Sequence, residues 1–376
     1  MKRQSKVNIM ISSLNENSYK RPAPRRNEIV DSIHSQIIDG RLKPNDRLPT
    51  RRCLQKKFDV SMVTIQQAVD RLVSEGFVES RGVGGTFVSD NPPHLNQYVV
   101  IVPAKHLDNS TPIFWRTLVD SFADYASRND ISIKFHYWSA AQVSNPESRS
   151  LARNVSRRSI AGLVFITPPL GYETEKLKLI NSGSVPCAVI LHGEAVGKFN
   201  AATVILDGLS FIHKTMVYFI GNGRKRLAVI ANFRKEDWWE DLKRIAKEKK
   251  IETRPYWNIS VSNEDRGSAR NLANLLMQLP EEKLPDALLI ADDNLAMPVL
   301  AGLQDSGAAA ARKLMIVSHS NFPFRVHTQL PVKFLGYDSA QVIESFMRVL
   351  ERQRKGEEAV DVCEKVNPVF DDEIMA

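Results

Sequence analysis

From Gln97 onward short apolar segments alternate with stretches of helical periodicity, and no other feature of the sequence limits the fold so tightly. YVVIVPA, ISIKFHYW, AGLVFIT, CAVILHG, RLAVIAN, DALLIAD and KLMIVSHS are each about the length of one strand and apolar at consecutive positions. A strand that is apolar on both of its alternating faces must be covered on both. A parallel sheet with helices on either side meets that demand. The predicted fold class for this region is therefore α/β with parallel sheet. A chain of 376 residues also exceeds one ordinary domain, so at least one boundary is expected before this pattern begins.

The N-terminal part has a different texture. Ile29, Val30, Ile33, Ile37 and Ile38 fall at helical spacing and are closed by Gly40, which predicts a first helix from Arg25 to Ile38. KPND makes a turn. Thr50 then caps a short second helix with Leu54 and Phe58 facing inward. Ser61 caps a third helix whose buried face is Ile65, Ala68, Val69, Leu72 and Val73, ended by Gly76. FVES and TFVS are short strands around the tip RGVGG, whose glycines permit a tight hairpin. The order is three helices and then a wing, an N-terminal winged helix-turn-helix. The adjacent prolines in SDNPPHLNQ disfavour helix and favour an extended spacer. The predicted layout is a flexible tail over 1–24, a DNA-binding unit over 25–89, a linker over 90–97 and the α/β part over 98–370.

Charge is distributed to match. Residues 1–90 hold 16 Lys and Arg against 10 Asp and Glu, so they carry +6 of the formal +8. That excess suits a polyanionic partner, and a solvated basic face would look the same. The 43% hydrophobic and 25% charged content is that of a globular protein, with no apolar run of membrane-spanning length and no signal-peptide middle at the N terminus; cytoplasmic residence is expected. Cys53, Cys187 and Cys363 lie far apart, which argues against disulfides and zinc, and all three read as small buried hydrophobes. Phosphate-loop, HExxH and GxSxG patterns are absent and the eight histidines are scattered. No cofactor, metal site or catalytic residue is therefore expected.

With the apolar stripe of the third helix turned inward, Met62, Val63, Thr64, Gln66, Gln67, Asp70 and Arg71 are left outside. Those near its start project from a positive helix end, which fits a DNA major groove. Glutamine can bind adenine through two hydrogen bonds, while Met and the Thr methyl suit the thymine methyl, so Gln66 and Gln67 are the expected base readers. Arg51 and Arg52, with Arg81 at the wing, are placed to hold phosphates. A packed helical hairpin with a solvated polar face has the same periodicity.

IIDGRLKPNDRLPTRRCLQKKFDVSMVTIQQAVDRLVSEGFVESRGVGGTFVS resembles the winged helix-turn-helix of GntR-type bacterial regulators over roughly residues 25–89. The shared elements are the G-x-L-x-P turn, the LP-x-x-R helix start, F-x-V-S, the L-x-x-EG helix end and GTFV. The resemblance implies DNA contacts from Arg52, from Ser61, Met62 and neighbours early in the third helix, and from the wing tip at Gly82. Members often carry arginine where this chain has Met62 and Gln66, and the tip has an additional glycine.

From about Gln97 to Phe370 the chain resembles the sugar-sensing core of LacI/GalR-type repressors, itself similar to periplasmic sugar-binding proteins. The carrying segments include VVIVPA, TPIFWRTLVDSFADYASRND, VILDGLSFIHKTMVYFIGNGRKRLAVI and PDALLIADDNLAMPVLAGLQDSG. The implied fold is two α/β lobes joined by crossing strands with the ligand in the cleft, where open parallel sheets generally bind. Asp293 in ADDNLA matches the aspartate that accepts hydroxyl hydrogen bonds in that family. Phe114 and Trp115 are candidates to stack on a sugar face, and Arg234 and Trp238 are nearest to the family's arginine. Ser318, His319, Ser320 and Asn321 stand where relatives have G-[YF]-D-D, with His319 the candidate ligand contact. Core packing is the other reading of the aromatics, and a helix cap that of Asp293. The resemblance implies a repressor acting as a homodimer on an inverted-repeat operator in double-stranded DNA and tuned by a sugar-like effector. An α/β part serving only dimerisation, or an enzyme fused to a DNA-binding module, are the alternatives.

Overall fold

The computed structural model describes residues 25–103, 107–108, 111–138, 146–168, 174–192, 200–232, 236–307 and 313–374. They form two compact units, one ending at Pro92 and the other beginning at Pro93. The first contains α1 (Arg25–Ile38), α2 (Arg51–Phe58), α3 (Met62–Ser74), β1 (Val78–Ser80) and β2 (Thr86–Val88), the two strands antiparallel. Ile29, Ile33, Leu54, Ile65, Leu72, Phe77 and Val88 close one core among them. Both caps expected for its helices are present: Thr50 Oγ1 accepts from the Cys53 amide at 3.3 Å and Ser61 Oγ from the Thr64 amide at 3.2 Å. Gly40 and Gly76 leave α1 and α3 with φ of 71° and 80°, values that favour glycine.

Three expectations need correcting here. Val73 is 40% exposed. The arc set by Ile65, Ala68, Val69 and Leu72 is already complete, and the next residue, turned a further ~100°, falls outside it. Cys53 is exposed on α2 and Cys363 half-buried, so only Cys187 is a core cysteine. The segment read as an extended spacer contains a short helix, Pro93–Asn96, because a proline with its fixed φ is well suited to a first helical turn.

A polar cluster locks α1 to the end of α3. The buried His34 ring lies 4.1 Å from that of Phe77, with His34 Nε2 3.1 Å from Glu75 Oε2. Arg71 donates to Glu75 at 2.7 Å and to Asn27 of α1 at 3.0 Å, so it is half-buried and structural rather than a free outer residue. Burial alone would raise the Glu75 carboxyl, but the hydrogen bonds from His34 and Arg71 outweigh it and hold it down at about 2.

The second unit contains two six-stranded sheets. The first uses β3 (Gln97–Val102), β4 (Ser132–Tyr137), β5 (Gly162–Phe165), β6 (Cys187–His192), β7 (Ala202–Leu206) and, late in the chain, β13 (Cys363–Val366). Its order is β13-β7-β6-β5-β3-β4, parallel throughout. The second uses β8 (Leu227–Ala231), β9 (Asn258–Ser260), β10 (Ala287–Ile290), β11 (Met315–Phe322), β12 (Val332–Asp338) and β14 (Val369–Phe370), ordered β14-β12-β11-β10-β8-β9 with only β14 antiparallel. All seven apolar segments are strands, and β5, β7, β8 and β10 are buried at every position, as two-sided covering requires.

The chain changes sheet three times. After β7 it enters the helix Gly208–Gly221, whose Phe211, Ile212 and Met216 pack on the second sheet. After β12 it enters the helix Ser339–Arg354, whose Val342, Ile343, Phe346 and Leu350 pack on the first. Between β13 and β14 it crosses again. The result is a mixed α/β chain in which a two-lobed parallel α/β body follows the winged helix-turn-helix.

Two outcomes are expected. Gly302 lies where a Cβ would run into the Arg270 carbonyl of the neighbouring helix, so Gly302→Ala should cost about 1–3 kcal/mol in chemical denaturation of the second unit. Because the folded-state carboxyl of Glu75 is depressed, its contribution is complete above the unfolded value near 4.5 and is lost as pH falls toward about 2. Glu75→Gln should flatten the acid limb of the first unit's stability, measured by amide exchange of α1 and α3 across that range.

Candidate functional site

The first unit offers one outward-facing helix end. At the start of α3, Met62 is 39% and Val63 65% exposed. Gln67 is also exposed, whereas Thr64 and Gln66 are half-buried. Ser61 is exposed, but its hydroxyl is occupied as the cap and lies 2.9 Å from that of Thr64. Gln66 Nε2 donates to Asp70 Oδ1 at 2.7 Å, so its amide is held along the helix and must leave that partner to reach outward with both hydrogen-bonding atoms. Gln67 has no such tether among the hydrogen bonds described. Arg51 and Arg52 are exposed in the first turn of α2, Lys56 and Lys57 in its last, and that helix has no acidic residue in its first turn.

The wing differs from expectation in its cation. Arg81 donates to Asn45 Oδ1 at 2.6 Å, pairs with Glu79 at 2.5 Å and Asp90 at 3.5 Å, and lies 4.7 Å from the centre of the Phe87 ring. Its charge is answered inside the wing, unlike those of Arg51 and Arg52. Beyond it Gly82 has φ 58° in a tight turn that leaves Val83 fully exposed at the tip. Sequence reasoning passed over Val83, and also Arg47, whose guanidinium lies against Gly85 so closely that a Cβ there would stand 3.0 Å from Nε.

In the second unit, Asp293 opens the helix Asp293–Asp305 at the carboxyl end of β10 and is 4% exposed. The cap is not Asp293 but Asp292, whose Oδ1 accepts from the Asn294 amide at 2.8 Å. That frees Asp293 to turn inward, where its Oδ2 accepts from Asn321 Nδ2 at 2.7 Å. Burial first, and the charge of Asp292 second, raise its carboxyl to about 7 against the opposing hydrogen bond from Asn321. The other lobe arrives at the same place: the Ile113 amide, first in the helix Ile113–Asn129, donates to Asn294 Oδ1 at 3.0 Å. Phe114 and Trp115 follow immediately, half-buried against the first lobe's core.

The remaining candidates lie elsewhere. His319 sits 5.4 Å from the Phe211 ring and 5.9 Å from Tyr337, facing the helix that follows the first crossing, and Tyr337 has its hydroxyl raised by burial and then by Asp207. Strand alternation turns Ser318 and Ser320 to the opposite face, where the Ser320 hydroxyl bonds the Phe324 carbonyl. Trp238 packs edge-on to Trp239 at 5.1 Å beside the second lobe's core, and Arg234 lies outside the described residues. An open cavity of about 640 Å³, lined by Trp239, Arg254 and Asn258, involves none of the groups around Asp293. The structure thus gathers Asp293, Asn294, Asn321 and the Phe114 turn, and leaves His319 at a crossing. Asn294 was missed; its signal was a second amide-bearing position directly after the paired aspartates. Among the described residues no cluster of His, Cys, Asp and Glu could hold a metal ion, and no helix is long and apolar enough to cross a membrane.

An exposed helix end on a winged helix-turn-helix, joined in one chain to a two-lobed parallel body, defines a class: a DNA-binding head carried with a periplasmic-binding-protein-like fold. Residues 25–88 match bacterial regulatory proteins of the gntR family, and residues 216–367 match the periplasmic binding protein-like domain. The mannosyl-D-glycerate transport/metabolism system repressor MngR of Escherichia coli is 45% identical over 67 residues, 18% of this chain and 28% of that protein. The arabinose metabolism transcriptional repressor of Geobacillus stearothermophilus is 21% identical over 353 residues, 88% of this chain and 92% of that one. Among solved structures, the transcriptional regulator CelR in complex with cellobiose superposes with a TM-score of 0.57 at 14% identity, over 83% of this chain and 90% of that one. The chain thus joins a gntR-type helix-turn-helix to a periplasmic-binding-protein-like domain.

Since the folded-state carboxyl of Asp293 is raised, the stability tied to its protonated form is complete below its unfolded value and lost as pH rises through about 7. Asp293→Asn keeps the acceptor for Asn321 and removes the ionisation. The melting temperature of the wild type should therefore fall more than that of the variant between pH 5 and 8, read by calorimetry, and equal slopes would contradict the buried carboxyl.

Proposed function

We propose that this chain is a sequence-specific transcription repressor of sugar metabolism whose grip on DNA is set by a small sugar or sugar derivative between the two lobes. The observation that carries it is the start of α3: capped by Ser61, it presents Met62, Val63 and Gln67 outward, while α2 exposes Arg51 and Arg52 with no ion-pair partner among the described residues. A positive helix end with amide and methyl groups at its tip is suited to base edges, and flanking arginines to phosphates. Gln67 reads bases directly and Gln66 does so on releasing Asp70. Arg81 contributes by exchanging its acidic partners for a phosphate.

In the body, the carboxyl of Asp293 and the amide of Asn321 offer hydroxyl-binding groups, and Phe114 and Trp115 of the other lobe an aromatic surface, a combination that suits a sugar's polar rim and apolar face. That the relatives named above are repressors of arabinose and mannosyl-D-glycerate metabolism supports a carbohydrate effector. His319 acts at the crossing, where lobe movement must be absorbed. The protein works in the cytoplasm as a homodimer on an inverted repeat and catalyses nothing. Ligand and DNA communicate because the sugar binds the operator-competent and incompetent forms unequally.

The test is fluorescence anisotropy on duplex DNA from upstream of its own gene, with and without a panel of arabinose, other pentoses and disaccharides. Binding should weaken linearly in log salt, and Arg52→Ala should weaken all sites while reducing the salt slope by about 1. Gln67→Ala should instead relax preference at one base position, by about 1–3 kcal/mol. No binding at low salt would sink the proposal, and no response to any sugar would remove its sensing half.

A further inference from the structure

We propose that Asn294 is a latch between the lobes: an amide carried by the second lobe that caps the first helix of the first lobe and so holds the cleft shut with protein atoms alone. Helix starts need an acceptor for their free amides, and in this unit Asp207, Asp265, Asp292 and Asp338 each supply one to the helix they precede. The helix Ile113–Asn129 is different. The residue in its cap position is Pro112, which has no side-chain acceptor and makes no side-chain cap bond. Its first amide, on Ile113, is satisfied instead by Asn294 Oδ1 at 3.0 Å, 181 residues away in sequence.

The orientation of that amide is dictated by its neighbours. Asn294 Nδ2 donates to Asp292 Oδ1 at 2.7 Å and lies 3.4 Å from Asp293 Oδ1, so the NH₂ end faces carboxylates and the carbonyl end is left to the other lobe. Asp292 therefore does two things, capping its own helix and aiming the latch. At the crossings the Ser121 and Ser339 hydroxyls, 2.7 Å apart, join elements of the same lobe's packing. Opening the cleft must uncap the Ile113 helix, and a cap bond of ordinary strength shifts a closed-to-open ratio about fivefold. The latch gives the sugar-sensing reading its regulation: an effector that fits beneath Asn294 inherits a cleft already biased shut, and one that displaces it drives the lobes apart.

The experiment needs no effector, so its failure and that of the sugar reading are separable. Hydrogen exchange by mass spectrometry on the full chain, over peptides spanning 111–116, should show the Ile113 amide protected in the wild type and about fivefold faster in Asn294→Ala. Spin labels at Asn129→Cys and Glu281→Cys, with Cys53→Ser and Cys363→Ser, should report a longer inter-lobe distance in the same variant. Unchanged exchange and unchanged distance in Asn294→Ala would overturn the latch. If that variant does not fold, an Ile113 amide exchanging in the wild type at the rate of an unstructured chain overturns it equally.

Discussion

A parallel sheet cannot leave either face bare, and each sheet of the body takes part of its cover from chain that has just left the other. The helix Ser339–Arg354 departs from β12 of the second sheet and buries Val342, Phe346 and Leu350 on the first; the helix Gly208–Gly221 departs from β7 of the first and buries Phe211 and Met216 on the second. Each lobe completes its core with a helix that the chain reaches from the other's sheet.

Capping is the second theme, because it decides what each helix end is free to do. Ser61 satisfies the start of α3 with its own hydroxyl, which leaves Met62, Val63 and Gln67 uncommitted at a positive helix end. Asp292 satisfies the start of the Asp293 helix, which allows Asp293 to be buried against Asn321 with its carboxyl raised to about 7. Pro112 has no side-chain acceptor to offer, and Asn294 of the other lobe accepts from the Ile113 amide instead. One local requirement, an acceptor for the first amides, thus shapes the exposed start of α3, the acidity of Asp293 and the contact between lobes.

Electrostatics separates the two ends of the molecule in kind. On the DNA-facing unit, Arg51 and Arg52 are exposed without acidic partners described nearby, while Arg71 and Arg81 are consumed by Glu75 and by Glu79 with Asp90. Arg71 and Arg81 are therefore less open to phosphate than their formal charge implies, while α2 keeps Arg51, Arg52, Lys56 and Lys57 exposed. In the second unit Asp293 is buried and bonded to Asn321, while Asp292 beside it is half-buried and holds the Asn294 amide.

Periodicity made most of the fold legible. The 3.6-residue stripes named α1 and α3 closely, the caps Thr50 and Ser61 and the stops Gly40 and Gly76 were readable as residues, and seven continuous apolar runs were strands, because burial on one face or two writes itself into local spacing. Short edge elements such as β9, β13 and β14 were not readable, since a strand of two to four half-buried residues carries no period of its own. What a residue faces was decided only by the assembled structure. Arg71 and Arg81 looked like free cations until the packing brought Asn27 of α1 to the first and Asn45, between α1 and α2, to the second, and His319 looked like a cleft residue until strand alternation set it against Phe211. The Asn294 bond to Ile113 spans 181 residues of chain. Local sequence therefore determined which segments are helix, strand and cap, through hydrogen bonds and burial that close within a few residues; tertiary structure alone chose the partners of the polar side chains, because those partners come from distant segments whose meeting depends on the packing of whole sheets.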